Sequence, residues 1–191
     1  MPEQFKSGFV NIFGKPNAGK STLLNALMGE KMAIVSHKVQ TTRHRILGIL
    51  SEPGYQIVFS DTPGIIEPKY KLHQKMMLQV KSALEDADVA ILMHDITQPL
   101  EEFETIANSL KLKVPALLLL NKTDTVKDKS TIEGIVKLYK DRYPTWEVLA
   151  ISARKETNTD KILPLVLKAL PEGMPFYPDD SISDRNERFF V

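Results

Sequence analysis

The chain has 191 residues and a nearly balanced charge, with 25 Lys and Arg residues against 24 Asp and Glu residues. This length can bury the core of one domain, and the balance gives no general excess of positive charge for a sequence-independent grip on nucleic acid. Because the chain contains no Cys, disulfides, thiolate catalysis and thiolate metal sites are excluded. We therefore expect a protein of a reducing compartment, the cytoplasm.

Short apolar runs with strand character alternate with helical patterns, which predicts an α/β fold with a largely parallel sheet. The turn-rich residues 51–54 are too few for a crossover helix, so the second and third strands should form an antiparallel hairpin. The predicted strands are 9–13, 46–50, 56–59, 89–93, 116–120 and 147–151, and the predicted helices are 20–29, 70–86, 100–110, 131–142 and 159–170. Ser130 and Glu133 predict a capping box for the fourth helix. We expect three α/β/α layers around a mostly parallel six-stranded sheet.

The first predicted strand runs into Gly14-x-x-x-x-Gly19-Lys20-Ser21, where the first predicted helix begins. Glycines let the backbone wrap around phosphate oxygens so that successive N–H groups face inward, and the helix N-terminus adds its positive end. Lys20 is expected to bridge the outer phosphates and Ser21 to bind magnesium. The alternative, a Gly-rich turn without a ligand, fits the strand and helix context less well. A P-loop NTPase fold is predicted, with nucleotide contacts from Asn17, Ala18, Gly19, Lys20, Ser21 and Thr22.

A polar stretch lies between the first predicted helix and the second predicted strand. One Thr in this stretch is positioned to complete the magnesium shell and to sense the γ-phosphate. We predict Thr42 rather than Thr41, because Thr42 adjoins Arg43 and the strand. The alternative is the polar start of an edge strand.

Asp61-Thr62-Pro63-Gly64 follows the third predicted strand. Asp61 can hold a magnesium-bound water, and the backbone N–H of Gly64 can face the γ-phosphate. By itself this sequence is a common turn. Its place between a phosphate loop and the base motif described next favours the functional interpretation.

Asn121-Lys122-Thr123-Asp124 follows the fifth predicted strand, at the edge where open α/β sheets bind ligands. The Asp124 carboxylate can accept hydrogen bonds from guanine N1–H and the 2-amino group, whereas adenine would leave it unpaired. We expect Lys122 to lay its aliphatic stem over the base and Asn121 to tie this loop to the phosphate loop. Alone, the motif is more often a turn with a helix cap; downstream of a P-loop it predicts guanine binding.

The last predicted strand leads into Ser152-Ala153-Arg154, whose backbone N–H groups can face guanine O6. This segment is too short to be evidence for guanine binding without the other motifs. Together the motifs predict a GTP-hydrolysing molecular switch, in which GTP orders the segments around Thr42 and Gly64 and hydrolysis releases them. An ATP-using kinase or ATPase on the same fold is an alternative that Asp124 disfavours.

These segments, in this order, resemble the translation-factor-related GTPases, and specifically the Era family of ribosome-assembly GTPases. The sharper likeness lies in residues 14–25, 40–46 and 179–189, and the match covers essentially the whole chain. The resemblance implies a GTPase that acts in small ribosomal subunit assembly, with GTP or GDP and magnesium as cofactors. It also implies 16S rRNA and the small subunit as partners.

The resemblance further implies a division of the chain. Era-type proteins continue into a KH domain that binds the 3′ end of small-subunit ribosomal RNA. We expect a GTP-binding domain over residues 1–171 and a linker over 172–191 that leads toward a KH domain absent from this chain. RNA affinity should then be weak or absent in this form, and the isolated domain should be monomeric. For the full-length protein, peripheral association with the inner face of the cell membrane is implied.

The resemblance finally sharpens the mechanism. Ras-like enzymes place a Gln after the Gly of the third motif to orient the attacking water, but this chain has Ile65, which can neither donate nor accept a hydrogen bond. Slow intrinsic hydrolysis is therefore expected, and a nucleotide-gated binding module with negligible turnover stays an alternative. Asn17 matches the P-loop Asn that coordinates potassium in relatives, so potassium is expected to supply positive charge. Otherwise Asn17 only shapes the loop.

Overall fold

The structure is a computed structural model and describes residues 5–28, 46–60, 85–110 and 112–177. The strands in these ranges are β1 (Lys6–Gly14), β2 (Ile46–Glu52), β3 (Tyr55–Ser60), β4 (Val89–Asp95), β5 (Ala116–Asn121) and β6 (Glu147–Ala150). The helices are α1 (Lys20–Met28), α2 (Leu100–Leu110), α3 (Lys129–Arg142) and α4 (Ile162–Ala169), with 3-10 turns at Thr123–Thr125 and Thr159–Lys161. Within the described ranges, no helix combines the length and apolar character needed to cross a bilayer.

The strands form one six-stranded sheet in the order β2-β3-β1-β4-β5-β6. β2 and β3 pair antiparallel, whereas the other neighbouring pairs are parallel, which confirms the predicted mixed sheet with one hairpin. Because β1, β4 and β5 run in the same direction, Gly14, Asp95 and Asn121 end their strands at the same edge. Open α/β sheets bind ligands outside this carboxyl edge.

Helices cover both faces of the sheet. Side chains alternate along a strand between the two faces, so in β4 Ile91 faces one core cluster and Leu92 the other. The first cluster contains Leu23 and Leu24 of α1 with Ile162 and Val166 of α4. The second contains Phe103, Ile106 and Ala107 of α2 with Tyr139 of α3. The predicted three-layer α/β/α architecture is confirmed.

The start of α3 differs from the prediction. The helix begins at Lys129, and its N-cap is Asp128, whose carboxylate accepts hydrogen bonds from the backbone N–H groups of Ser130 and Thr131. The capping box assigned to Ser130 and Glu133 was therefore wrong. A carboxylate satisfies two free N–H groups of the first turn at once, and the Ser130 hydroxyl itself donates to Asp128.

The segment after α4, residues 171–177, lies along the amino edge of the sheet, and we call it the strap. Gln56 on β3 is fully buried and accepts hydrogen bonds from the strap N–H groups of Phe176 (2.8 Å) and Tyr177 (3.0 Å). The Ser7 hydroxyl on β1 donates to a strap carbonyl at 2.7 Å. The beginning of the predicted linker is therefore held against β1 and β3.

Of the helix predicted over 70–86, only Glu85 and Asp86 fall within the described residues. The tail 178–191 lies outside the described residues.

Candidate nucleotide-binding site

The phosphate loop connects β1 to α1, and two of its positions require glycine. A Cβ on Gly14 would come within 2.5 Å of the Met93 carbonyl oxygen. Gly19 has φ +101°, and a Cβ there would also collide with the side-chain amide of Asn121. Asn17 has φ 64°, a left-handed conformation that Asn adopts more readily than most residues. The loop is therefore a cradle that only small side chains permit, as a backbone-lined phosphate site requires.

Lys20 places its ammonium group at this cradle. Its Nζ donates hydrogen bonds to the carbonyls of Gly14 and Lys15, both at 2.9 Å. Ser21 and Thr22 follow in the first turn of α1, where backbone N–H groups lack intrahelical partners. A glycine cradle, an ammonium group and a helix N-terminus together fit the phosphates of a nucleotide.

Asn121 joins three loops. Its Nδ2 donates to the carbonyl of Ala18 in the phosphate loop at 2.8 Å, which is the predicted tie. Its Oδ1 accepts from the backbone N–H of Ala153 at 2.9 Å, a contact that the sequence did not predict. Asn121 is only 3% exposed, so neither bond is shared with bulk water. The phosphate loop and the loops after β5 and β6 are thereby held as one unit.

The Asp124 carboxylate is oriented but accessible. The Ser152 hydroxyl donates to Asp124 Oδ1 at 2.6 Å, and the Ser152 oxygen in turn accepts from the backbone N–H of Lys155 at 3.1 Å. Asp124 itself is exposed. A fixed and exposed carboxylate at this edge can accept two parallel donors from one ligand, which is the pattern of guanine N1–H and its 2-amino group.

Two of the three backbone N–H groups predicted to face guanine O6 are used within the protein. Ser152 donates to the Thr157 carbonyl at 3.1 Å, and Ala153 donates to Asn121. In the described part of the chain, the Arg154 N–H has no such acceptor. Of the three backbone N–H groups, that of Arg154 is therefore the one left to donate to a ligand.

Lys122 is held by an acidic residue that sequence reasoning missed. Lys122 has φ 70°, and its Nζ lies 2.7 Å from Asp95 Oδ2 at the end of β4. Asp95 Oδ1 accepts from the N–H and the hydroxyl of Thr97, at 3.0 and 2.7 Å. Burial alone would raise the pKa of Asp95, but the Lys122 ammonium and the two Thr97 donors together hold it below 3.8. Asp95 is therefore negatively charged at neutral pH, beside Lys122.

A signal for Asp95 did exist in the chain. It is the acidic residue that follows the apolar run of the fourth predicted strand, and β4 pairs with β5 so that Asp95 lies opposite Asn121.

A second ion pair joins Lys15 of the phosphate loop to Glu102 of α2, with side chains 43% and 39% exposed. At that exposure an ion pair contributes little to stability.

Other predicted site residues lie outside the described residues. These are Thr42 with its alternative Thr41, and Asp61, Gly64 and Ile65. Of the three predicted magnesium ligands, the structure therefore describes Ser21, at the N-terminus of α1.

The chain is similar to known GTPases along nearly its whole length. Residues 9–122 match the family described as 50S ribosome-binding GTPase. The chain is 45% identical over 190 residues to the GTPase Era of Clostridium tetani, in a match that covers 98% of this chain and 64% of that protein. It thus spans just under two thirds of the length of the curated relatives it matches.

Two solved structures are similar in fold and sequence. Era in complex with MgGDPNP and nucleotides 1506-1542 of 16S ribosomal RNA is 42% identical, with a TM-score of 0.77 over 92% of this chain and 61% of that one. A variant of Aquifex aeolicus Era bound to GDP and AlF4⁻ is 41% identical, with the same TM-score of 0.77 and the same coverage of 92% and 61%. The matched region includes the phosphate loop and the start of the base motif, and the chain therefore belongs to the family of 50S ribosome-binding GTPases.

Proposed function

We propose that this chain binds GTP with magnesium, hydrolyses it to GDP and phosphate, and acts as a nucleotide-operated switch in small ribosomal subunit assembly. The observation that carries the proposal is the pair of hydrogen bonds from Asn121 to Ala18 and from Ala153 to Asn121. They connect a phosphate cradle to two loops that carry base-recognising groups. A nucleotide bound at both ends would find its two half-sites already at a fixed separation.

Guanine is the base that these groups favour. The Ser152 hydroxyl fixes the Asp124 carboxylate, which accepts guanine N1–H and the 2-amino group. The Arg154 N–H is the donor assigned to O6, and the Lys122 stem covers the base plane. Adenine has no N1–H and carries an amino group at the O6 position, so it would leave both the carboxylate and the donor unpaired, at a high cost in affinity.

The phosphate end is assigned in the same way. Lys20 would exchange its two carbonyl partners for β- and γ-phosphate oxygens. A hydrogen bond from an ammonium group to a charged phosphate oxygen is stronger than one to a neutral carbonyl oxygen. Magnesium, when bound, neutralises charge between the β- and γ-phosphates. Ser21, Thr42 and Asp61 are the residues that would hold it. Gly64 would contact the γ-phosphate, and Asn17 would hold potassium.

The assembly role rests on the resemblance to Era-type proteins and is supported by one relative's RNA complex. Era binds 16S ribosomal RNA in a structure 42% identical to this chain. We assign residues 1–171 to the GTP-binding domain and 172–191 to a linker toward a KH domain that contacts the RNA. The isolated domain is proposed to be a cytoplasmic monomer, and peripheral membrane association is assigned to the full-length protein.

The first experiment tests the base. Displacement of a fluorescent GDP analogue by GTP or ATP would be measured for the wild type and for Asp124→Asn. We expect GTP to displace the analogue at least about a hundredfold more effectively than ATP, since a site built to hydrogen-bond a base rejects one that leaves its groups unpaired. In the variant, xanthosine triphosphate should compete better than GTP, because its 2-carbonyl can accept from the new amide. Tighter binding of ATP by the wild type would overturn the proposal.

The second experiment tests turnover and potassium. Single-turnover phosphate release would be followed with magnesium, in potassium or sodium at matched ionic strength. Faster release in potassium is expected, and Asn17→Gly should abolish this difference while keeping the loop conformation, because Gly also tolerates φ 64°. Equal rates in the two salts would disprove the role of potassium. No release over hours would favour the binding module over the GTPase.

A further inference from the structure

We propose that Asp95 is a positioning residue for guanine recognition, which holds Lys122 stretched across the base plane through its ammonium group. This inference rests on the proposed function, because it concerns the base end of the same site. It adds a contribution from the end of β4 to a base site otherwise built after β5 and β6.

The contact between the two side chains is direct and partly shielded. Lys122 Nζ lies 2.7 Å from Asp95 Oδ2, with the lysine side chain 36% and the aspartate side chain 15% exposed. A pair this shielded is less weakened by salt than a fully exposed one.

The carboxylate is itself fixed before it meets the lysine. Asp95 Oδ1 accepts from both the N–H and the hydroxyl of Thr97, and the next residue, Ile96, donates its N–H to the Asn121 carbonyl at 2.9 Å. The lysine therefore bonds to a rigid acceptor that is anchored to the same strand end from which Lys122 departs. Rigid acceptors cost less side-chain entropy than flexible ones.

The backbone of Lys122 completes the arrangement. Its left-handed conformation, φ 70° and ψ 33°, is one that a side chain with a Cβ adopts at a cost. This conformation and the bond to Asp95 together determine where the four-carbon stem lies. A stem held in place before the nucleotide arrives loses no rotamer freedom on binding.

A merely structural ion pair would behave differently. If Asp95 only stabilised the fold, its removal would weaken nucleotide binding whether or not Lys122 kept its ammonium group. If Asp95 acts through the lysine, its removal has an effect only while that ammonium is present. A double-mutant cycle separates the two cases.

The experiment measures GDP dissociation constants by titration calorimetry for the full chain as wild type, Asp95→Asn, Lys122→Met and the double variant. Met keeps an unbranched stem of similar length but carries no charge. Asp95→Asn retains an oxygen that can accept from Thr97. We expect Asp95→Asn to weaken GDP binding about tenfold, equivalent to about 1.4 kcal/mol, and to change it less than about twofold in the Lys122→Met background.

Glu147→Gln is the matched control. It also converts an acid to an amide and breaks an ion pair, to Lys168, but at the amino end of β6, on the opposite edge of the sheet. GDP affinity should be unchanged there. If Asp95→Asn fails to fold by circular dichroism, Thr97→Val takes its place in the cycle, since it removes one of the two donors that orient Asp95; a loss of about threefold is then expected.

The outcomes separate the two proposals. Absence of GDP binding by the wild type would overturn the proposed function. Wild-type binding with an unchanged dissociation constant in Asp95→Asn, or an equal loss in both lysine backgrounds, would overturn the role of Asp95 and leave the proposed function standing.

Discussion

The base-binding end and the phosphate loop of the site are organised by different parts of the chain. At the base end, side chains hold one another: Ser152 orients Asp124, and Asp95 holds Lys122. At the phosphate loop the contacts are made by the backbone, because the Lys20 ammonium donates to carbonyls of its own loop. Under the proposed function, a guanine base would meet side chains that are already oriented, whereas the phosphates would displace the bonds of Lys20 to its own loop. Base recognition is therefore proposed to be preorganised, and phosphate recognition to be an exchange of partners.

The two ends meet at a single joint. The Asn121 amide bonds to the Ala18 carbonyl and lies so close to Gly19 that no Cβ fits between them. Substitutions at this joint should affect both ends at once, whereas those further away should affect only one.

Gly19→Ala should have the largest effect, because it adds both backbone strain and a collision with the Asn121 amide. The collision should displace the phosphate loop from Asn121, so we expect GDP binding about a thousandfold weaker, equivalent to about 4 kcal/mol, and the left-handed strain should add a loss of stability. Titration calorimetry measures the GDP binding. Gly54→Ala is the matched control, since Gly54 has φ +96° with nothing within 4 Å of a new Cβ. That variant should lose stability but keep its GDP affinity; similar affinity losses in both would show that the joint is unimportant.

Asn121→Ala should lower the free energy of unfolding by about 3 kcal/mol, because it leaves the Ala18 carbonyl and the Ala153 N–H buried without partners. Urea denaturation measures the change. The comparison variant is Asn158→Gly, which tolerates the same φ of 58° and removes one bond, to the Ala150 carbonyl. A smaller loss is expected there. If Asn121→Ala costs no more than Asn158→Gly, the three loops are not joined through this side chain.

Ser152→Ala should act on the base end alone. Without the hydroxyl, the Asp124 carboxylate loses its orienting bond, and GDP affinity should fall about fivefold, in line with about 1 kcal/mol for one hydrogen bond. Ser130→Ala is the control, because its hydroxyl likewise donates to an aspartate, Asp128, but at the N-terminus of α3. Equal affinities of wild type and Ser152→Ala would contradict preorganisation of the base end.

The smallest effect expected is a pH dependence of stability from His94, the residue before Asp95 in β4. Burial lowers the pKa of His94 below 6.5, although its bond to the Gln98 carbonyl and the charges of Asp95 and Glu102 oppose this, and Lys15 adds to it. As the pH falls below 6.5, the unfolded chain takes up a proton that the folded chain does not, so stability is lost from that pH down to the folded pKa.

Thermal or urea denaturation between about pH 7 and 5 measures this slope, which cannot exceed about 1.4 kcal/mol per pH unit. His94→Gln keeps a donor for the Gln98 carbonyl and should flatten the curve. An unchanged slope in the variant would rule out His94. Asp95 does not contribute in this window, because its pKa lies below 3.8 and its stabilisation is lost only as the pH falls through that lower value.

Local pattern predicted the sheet and the motifs because each depends on residues close together in the chain. The apolar runs of β4 and β5 and the turn before β3 were sufficient for the fold. The tie from Asn121 to the phosphate loop could also be predicted, because two motifs at the same sheet edge must lie close together. The N-cap of α3 was missed because Asp128 and Ser130 are both good caps, and only geometry decides between them.

The contact between Asp95 and Lys122 and the contact between Ala153 and Asn121 show what pattern does not provide. Both depend on the register of neighbouring strands and on side-chain rotamers, which no residue spacing encodes. Gln56 is a similar case, because a polar residue inside an apolar strand gives no sign of its partner. In the structure that partner is the backbone of the strap, distant in sequence.

The strap also defines a path for mechanical force. Tension applied at Tyr177 would not first unwind α4, because Gln56 and the amino end of β1 hold the strap and would bear the load. β1 is in turn paired with β3 and with β4, so several evenly spaced hydrogen bonds would share the load. β1 ends at Gly14, where the phosphate loop begins. Force applied at Tyr177 would therefore reach the phosphate loop through β1.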